Sequence, residues 1–194
     1  MAIEVQPLTA DRWPDLAALF GKQGAYGGCW CMWWRQTGAE YTSGRGEPNR
    51  AAFETIVARG DEPGLIAYRD GKAAGWVSVA PREEYPRVKR SRVLKPVDDR
   101  PAWAVVCFYV GATHRRTGLG PALLKAAVAY ARERGAGLVE GYPVDTDGGA
   151  RISTDAAYHG ILAWFQAAGF REVERRAKNK PIVRLFVNET PPST

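Results

Sequence analysis

One segment constrains the fold more than any other: AVVCFYVGATHRRTGLGPALLKAAVAYARERG, residues 104–135. It opens on a nearly unbroken apolar run, the pattern of a strand buried on both faces. It closes on Leu123, Leu124, Ala127, Val128 and Ala131, which fall on one face at helical spacing. Pro121 suits a first helical position, where its missing N–H has no acceptor, so the helix is expected from about Pro121 to Arg134. Between strand and helix lie Arg115, Arg116, Thr117, Gly118, Leu119 and Gly120. A helix start carries unpaired amides and the positive end of the dipole. Gly118 and Gly120 let backbone approach a ligand, the arginines add charge and Thr117 adds a hydroxyl donor. The turn is therefore read as a pyrophosphate cradle.

Around this segment the elements alternate. Strands are expected at AIEVQPL, on both sides of the turn RDGK, at AGLVEGYPV, FREVERRA and PIVRLFV. Helices are expected at TADRWPDLAALFG, at NRAAFETIVARG with Asn49 as cap, and at HGILAWFQAAG. Residues 22–48, with room for a helical turn inside, REEYPRVKRSRVLKPVDDRP and DTDGGARISTD are expected to be loops. The result is one mixed α/β domain, a size that 194 residues allow.

Composition narrows the partners. The charge of +6 and a pI near 9.4 point to an anionic ligand. No apolar run approaches the roughly 20 residues of a membrane span, and the start MAIEVQPL has no signal-peptide pattern. A reduced, cytoplasmic protein with free Cys29, Cys31 and Cys107 is expected, with no membrane partner. Cys29 and Cys31, with only His114 and His159 in the chain, match no zinc spacing, so no metal is assigned. The basic stretch 81–99 carries Arg82, Arg87, Lys89, Arg90, Arg92 and Lys95, but its acids and its lone aromatic, Tyr85, argue against nucleic acid.

The string R-x-x-G-x-G at Arg115, Gly118 and Gly120, behind an apolar strand ending at Val110, resembles the acetyl-CoA motif of the GCN5-related N-acetyltransferase (GNAT) superfamily. WFQAAGFREV, residues 164–173, is similar to that family's helix ending in Gly-Phe. The resemblance implies a single N-acetyltransferase domain over residues 1–194, with a mostly antiparallel sheet flanked by helices. Its fourth and fifth strands would splay, leaving a thioester slot between Val110 and the strand near Val139. It implies acetyl-CoA as co-substrate, with its pantetheine arm along Phe108, Tyr109 and Val110 and its pyrophosphate on the amides of Arg115–Gly120. It implies a small-molecule or peptide amine as acceptor and allows a homodimer.

Within that resemblance, the Val110 N–H is the candidate oxyanion donor. Trp30, Trp33 and Trp34 are candidate acceptor-pocket walls, against the alternative that they cap the core. Glu83, Glu84, Asp98 or water are candidate proton acceptors. Many relatives carry a tyrosine acid where this chain has Phe165. Tyr158, seven residues earlier, is the candidate replacement if one helix face holds both. The competing reading is a CoA sensor or nucleic-acid binder with the same fold and no turnover.

Overall fold

The structure is a computed structural model and describes residues 3–146 and 157–187. Its elements are β1 (Ile3–Pro7), α1 (Trp13–Phe20), α2 (Gly38–Ser43), α3 (Glu47–Ala58), β2 (Gly64–Arg69), β3 (Lys72–Pro81), α4 (Pro86–Arg90), β4 (Trp103–Val110), α5 (Leu119–Glu133), β5 (Leu138–Gly141), α6 (Leu162–Ala167), β6 (Arg171–Arg175) and β7 (Pro181–Phe186). Seven strands form one sheet in the order β1-β2-β3-β4-β5-β7-β6. Only β4 and β5 run parallel; the other pairs are antiparallel.

Helices cover both faces. On one, Leu119, Leu123, Leu124, Ala127 and Ala131 of α5 pack onto Val77, Val79, Val105 and Phe108. On the other, α1 and α3 bury Leu16, Phe20, Phe53 and Val57 against Ile66 and Trp76. A third cluster joins Tyr85, Val88 and Leu94 to Ala104, Val106 and Tyr142. The β2–β3 hairpin turns on Asp70 (φ 52°) and Gly71 (φ 73°), the two positive values of a type I′ turn.

Several expectations need correction. Asn49 does not cap α3. The helix begins two residues earlier, behind Gly46, and buried Asn49 donates from Nδ2 to the Gly28 carbonyl at 3.3 Å. The helical turn allowed within residues 22–48 is present as α2, opened by a reciprocal Thr37–Glu40 capping box. The charged stretch after β3 contains α4. Helix α5 begins at Leu119, so Pro121 is its third residue; an N–H there would also lack an intrahelical acceptor. The expected loop at residues 145–155 lies mostly outside the described residues.

Candidate active site

The site begins where β4 leaves β5. Their pairing runs only from Trp103–Val139 to Val105–Gly141. At the same level β4 bulges: Ser78 faces Cys107 while Val79 faces Val105, so Val106 is the extra residue. The bulge flips the strand's alternation. Val106 and Cys107 both pack toward the Tyr85 cluster, and Phe108 returns to the α5 side. Gly111 N donates to Ala74 O at 3.0 Å, which sets the register beyond the bulge. By antiparallel alternation, the N–H and C=O of Phe108 and Val110 then point away from β3, toward the opening. The Val110 carbonyl accepts from Arg115 Nε at 3.3 Å.

The turn after β4 is built from its own backbone. His114 N donates to Gly111 O at 2.8 Å, and Thr117 Oγ1 donates to His114 O at 2.6 Å. The Thr117 hydroxyl proton is thus used within the turn, unlike the sequence expectation that it serves a phosphate. Arg116 has φ 61° and Gly118 φ 84°, so the chain curls left-handed into α5. The first backbone bond across the helix start is Ala122 N to Gly118 O, at 3.2 Å. It leaves the Leu119 and Gly120 amides ahead of the helical ladder. Arg115, Arg116 and Gly118 are exposed.

The two glycines differ. A Cβ at Gly118 would meet nothing within 4 Å, whereas one at Gly120 would collide with the indole of Trp164. Gly120 is therefore glycine because α6 packs on it, and only Gly118 leaves its open side to solvent. The sequence also hid Arg69, which reaches from β2 to donate from Nη2 to Thr117 O at 3.3 Å. It brings a third cation to the turn.

Beside the opening lies a cavity of about 420 Å³, whose lining includes Trp33, Trp34, Gln36, Arg87, Arg90 and Tyr158. Arg87 N donates to Trp34 O at 3.4 Å, tying α4 to the tryptophan loop. The Arg87 guanidinium carbon sits 3.7 Å from the Trp33 ring centroid. Trp30 lies elsewhere, among Trp13, Phe20 and Phe53 in the core. Tyr158 packs with Cys107 of β4 in the Tyr85 cluster, so the cavity is one side chain away from the strand. Burial, and next the Cys107 sulfur, raise the Tyr158 phenol well above its ordinary range, so it stays protonated. A larger hollow, about 750 Å³, runs between α5 and β7. It lies at Phe186, which pairs with Leu138 at the closed end of β5.

Residues 30–147 match the family model described as acetyltransferase (GNAT) family. The chain belongs to the GNAT acetyltransferase family. Many solved structures share its fold, acetyltransferases among them. The N-acetyltransferase from Staphylococcus aureus Mu50 is 15% identical with a TM-score of 0.55, over 96% of this chain and 99% of that one. The GNAT-family acetyltransferase from Streptococcus pneumoniae is 15% identical with a TM-score of 0.56, over 96% and 100%. The PaiA N-acetyltransferase from Thermoplasma acidophilum, solved with coenzyme A, is 13% identical with a TM-score of 0.54, over 96% and 99%. No curated protein sequence matches this chain.

Against the GNAT pattern, Phe165 and Tyr158 part company. Phe165 is fully buried and packs on Phe108 and Phe170. Tyr158 lies in a separate 3-10 turn, Ala157–His159, and Gly160 (φ 75°) precedes α6. The two do not share a helix face; Tyr158 faces the tryptophan cavity instead. Two of the candidate bases are also engaged, while Glu83 is exposed in the turn Arg82–Glu84. Glu84 accepts from Arg35 at 3.0 Å. Asp98 accepts from Arg184 at 2.7 and 3.0 Å and from Arg100 at 2.9 Å, and these bonds hold its carboxyl well below the usual range. The same Arg184 donates to buried Glu140 at 2.7 Å, so Asp98 belongs to the bracing of β5 and β7.

The cysteines are structural in setting. Trp76 Nε1 donates to Cys31 Sγ at 2.8 Å, and burial raises Cys31 and pushes Cys29 up to about 11. Neither thiol is poised as a nucleophile. Among the described residues no group of His, Cys, Asp and Glu is placed to hold a metal, and no helix is long and apolar enough to cross a membrane.

Proposed function

We propose that the protein transfers an acetyl group from acetyl-CoA to a primary amine by direct attack on the thioester. The observation that carries this is the joint geometry of β4 and the turn behind it. Backbone groups of Phe108 and Val110 face an opening that starts at Val105–Gly141. The turn at its mouth ends in two amides ahead of the helical ladder, beside exposed Arg115, Arg116 and the open side of Gly118.

These residues fit the two ends of acetyl-CoA. An extended pantetheine arm pairs with the open backbone of Phe108 and Val110 as an added strand pairs with a sheet edge, while Tyr109 between them turns its own backbone groups to β3. The amides from Arg116 to Gly120, with Arg115, Arg116 and Arg69, bind the pyrophosphate. The thioester supplies an activated acetyl group. Val110 N–H, fixed by the register of β4, donates to the carbonyl oxygen as negative charge grows there. Tyr158 gives its proton to the leaving sulfur; burial raises its phenol, which holds the proton before attack and makes it a weak acid once the thiolate forms. Trp33 and Trp34 wall the side from which the amine arrives. With Glu84 and Asp98 held by arginines, proton loss from the amine falls to exposed Glu83 or to water, and positioning does most of the catalytic work.

The test is calorimetric titration of acetyl-CoA, followed by CoA release with an amine panel. Micromolar binding with amine-dependent release supports the reading. Tight binding without release would favour a sensor of CoA, and no binding would reject both.

A further inference from the structure

The cavity beside α4 has a chemical bias. Arg87 stacks on Trp33, and its guanidinium carbon lies 5.7 Å from the ring of Tyr41, which stands edge-on to Trp33. Arg87 Nε and Nη2 are buried and have no hydrogen-bond partner. These two atoms form the side edge of the guanidinium, whose parallel N–H bonds match the two oxygens of a carboxylate. Trp34 Nε1 is a third buried donor without a partner, on another wall of the same cavity. Among the described residues no Asp or Glu lines the cavity. The ionisable groups felt by Arg87 are the phenols of Tyr41 and Tyr158, and burial lowers its affinity for its proton with no carboxylate to offset the effect. Arg90 adds a second positive charge to the wall.

Arg87 is half-buried, but a guanidinium edge buried without a counter-ion among the described residues is costly, and an anionic ligand removes that cost. We propose that this cavity is the acceptor pocket and that it takes a small primary amine bearing a carboxylate, seated on the Nε–Nη2 edge of Arg87. The proposal rests on the acetyltransferase reading above. At about 420 Å³ the cavity suits a small molecule. Polycationic amines are disfavoured, because Arg87 and Arg90 repel them and, among the described residues, no lining carboxylate pairs with them. The side-chain oxygen of Gln36, which also lines the cavity and is buried without a partner, supplies an acceptor for the ammonium end of an arriving substrate.

The experiment measures acetyl-CoA binding by calorimetry, then kcat and KM for the proteinogenic L-amino acids, their carboxamides and spermidine. Wild-type protein should prefer at least one amino acid over its carboxamide by about tenfold or more in kcat/KM. Arg87→Gln should raise KM for that amino acid by about tenfold or more, hold kcat within about threefold and erase the preference. Arg87→Lys, which keeps the charge and loses the fork, should restore only part of it. Circular dichroism confirms that both variants are folded. The inference is overturned if spermidine or the carboxamides are the better substrates, if no amino acid is acetylated by protein that binds acetyl-CoA, or if folded Arg87→Gln retains the preference. Failure to bind acetyl-CoA would instead overturn the acetyltransferase reading.

Discussion

The indole of Trp164 occupies the space that a Cβ at Gly120 would need. Gly118, two residues away, faces open space at φ 84°. One motif therefore contains two glycines with different duties. Gly120→Ala should lower stability by about 1–3 kcal/mol through overpacking, with the loss relieved by Trp164→Leu. Gly118→Asn keeps a residue that tolerates the left-handed region, so its stability should stay near wild type. Its side chain projects into the cradle, and acetyl-CoA affinity should fall by about tenfold or more. Thermal melts and calorimetry on both variants check the split; equal acetyl-CoA affinity in Gly118→Asn would remove the cradle.

The tryptophans separate in the same way. Trp30 is buried between Trp13 and Phe20, and Trp30→Ala should cost about 3–5 kcal/mol. Trp33 is half-buried on the cavity wall beneath Arg87, so Trp33→Ala should raise the acceptor KM while acetyl-CoA binding holds. Denaturant melts and steady-state kinetics distinguish them. A Trp33→Ala protein with unchanged acceptor KM would take Trp33 out of the pocket.

Much of this was legible in the sequence, and the limits have physical causes. The β4–turn–α5 unit was readable because its signals are local: an apolar run, two glycines and a helical stripe follow one another directly. The splay of β4 from β5 came only with the family resemblance, and the bulge beneath it was silent. Val105, Val106, Cys107 and Phe108 are all apolar, so no alternation exists for an extra residue to break. Helices α2 and α4, of 6 and 5 residues, are too short for a period to show. The capping-box string TGAE at Thr37–Glu40 was the one available signal for α2. The meeting of Arg87 with Trp33 depends on tertiary folding, and nothing in either local sequence announces it.

Burial makes the stability of the protein sensitive to mild acid. His159 is 4% exposed, stacked on Tyr158 and edge-on to Trp34. Burial first, and the Lys180 charge second, push its imidazole down to about 3. The unfolded chain, with an ordinary value of about 6.5, binds more protons than the native one between those limits. Stability contributed by neutral His159 is therefore full above about pH 6.5 and is lost as pH falls toward 3. Between pH 7 and 5 the loss from this residue should be about 2 kcal/mol. His159→Gln should flatten that slope in urea melts, and an unchanged slope would exclude His159 as its source.

Tyr158 gives a kinetic test of the proton donor. Tyr158→Phe should lower kcat by roughly 10²-fold with little change in acetyl-CoA affinity. Because burial raises its phenol, wild-type kcat should show no descending limb from Tyr158 up to roughly pH 10. A loss below about threefold across the profile would assign thiolate protonation to water.

The most direct measurement incubates wild-type protein and Gly118→Asn with acetyl-CoA and the preferred amino acid, and quantifies acetylated amine and free CoA by mass spectrometry. The account predicts equal amounts of the two products from wild type, far above the protein-free rate. It predicts much less of both from Gly118→Asn at limiting acetyl-CoA, with recovery as acetyl-CoA is raised. Wild-type protein that binds acetyl-CoA yet forms no acetylated amine, whatever amine is supplied, would contradict it.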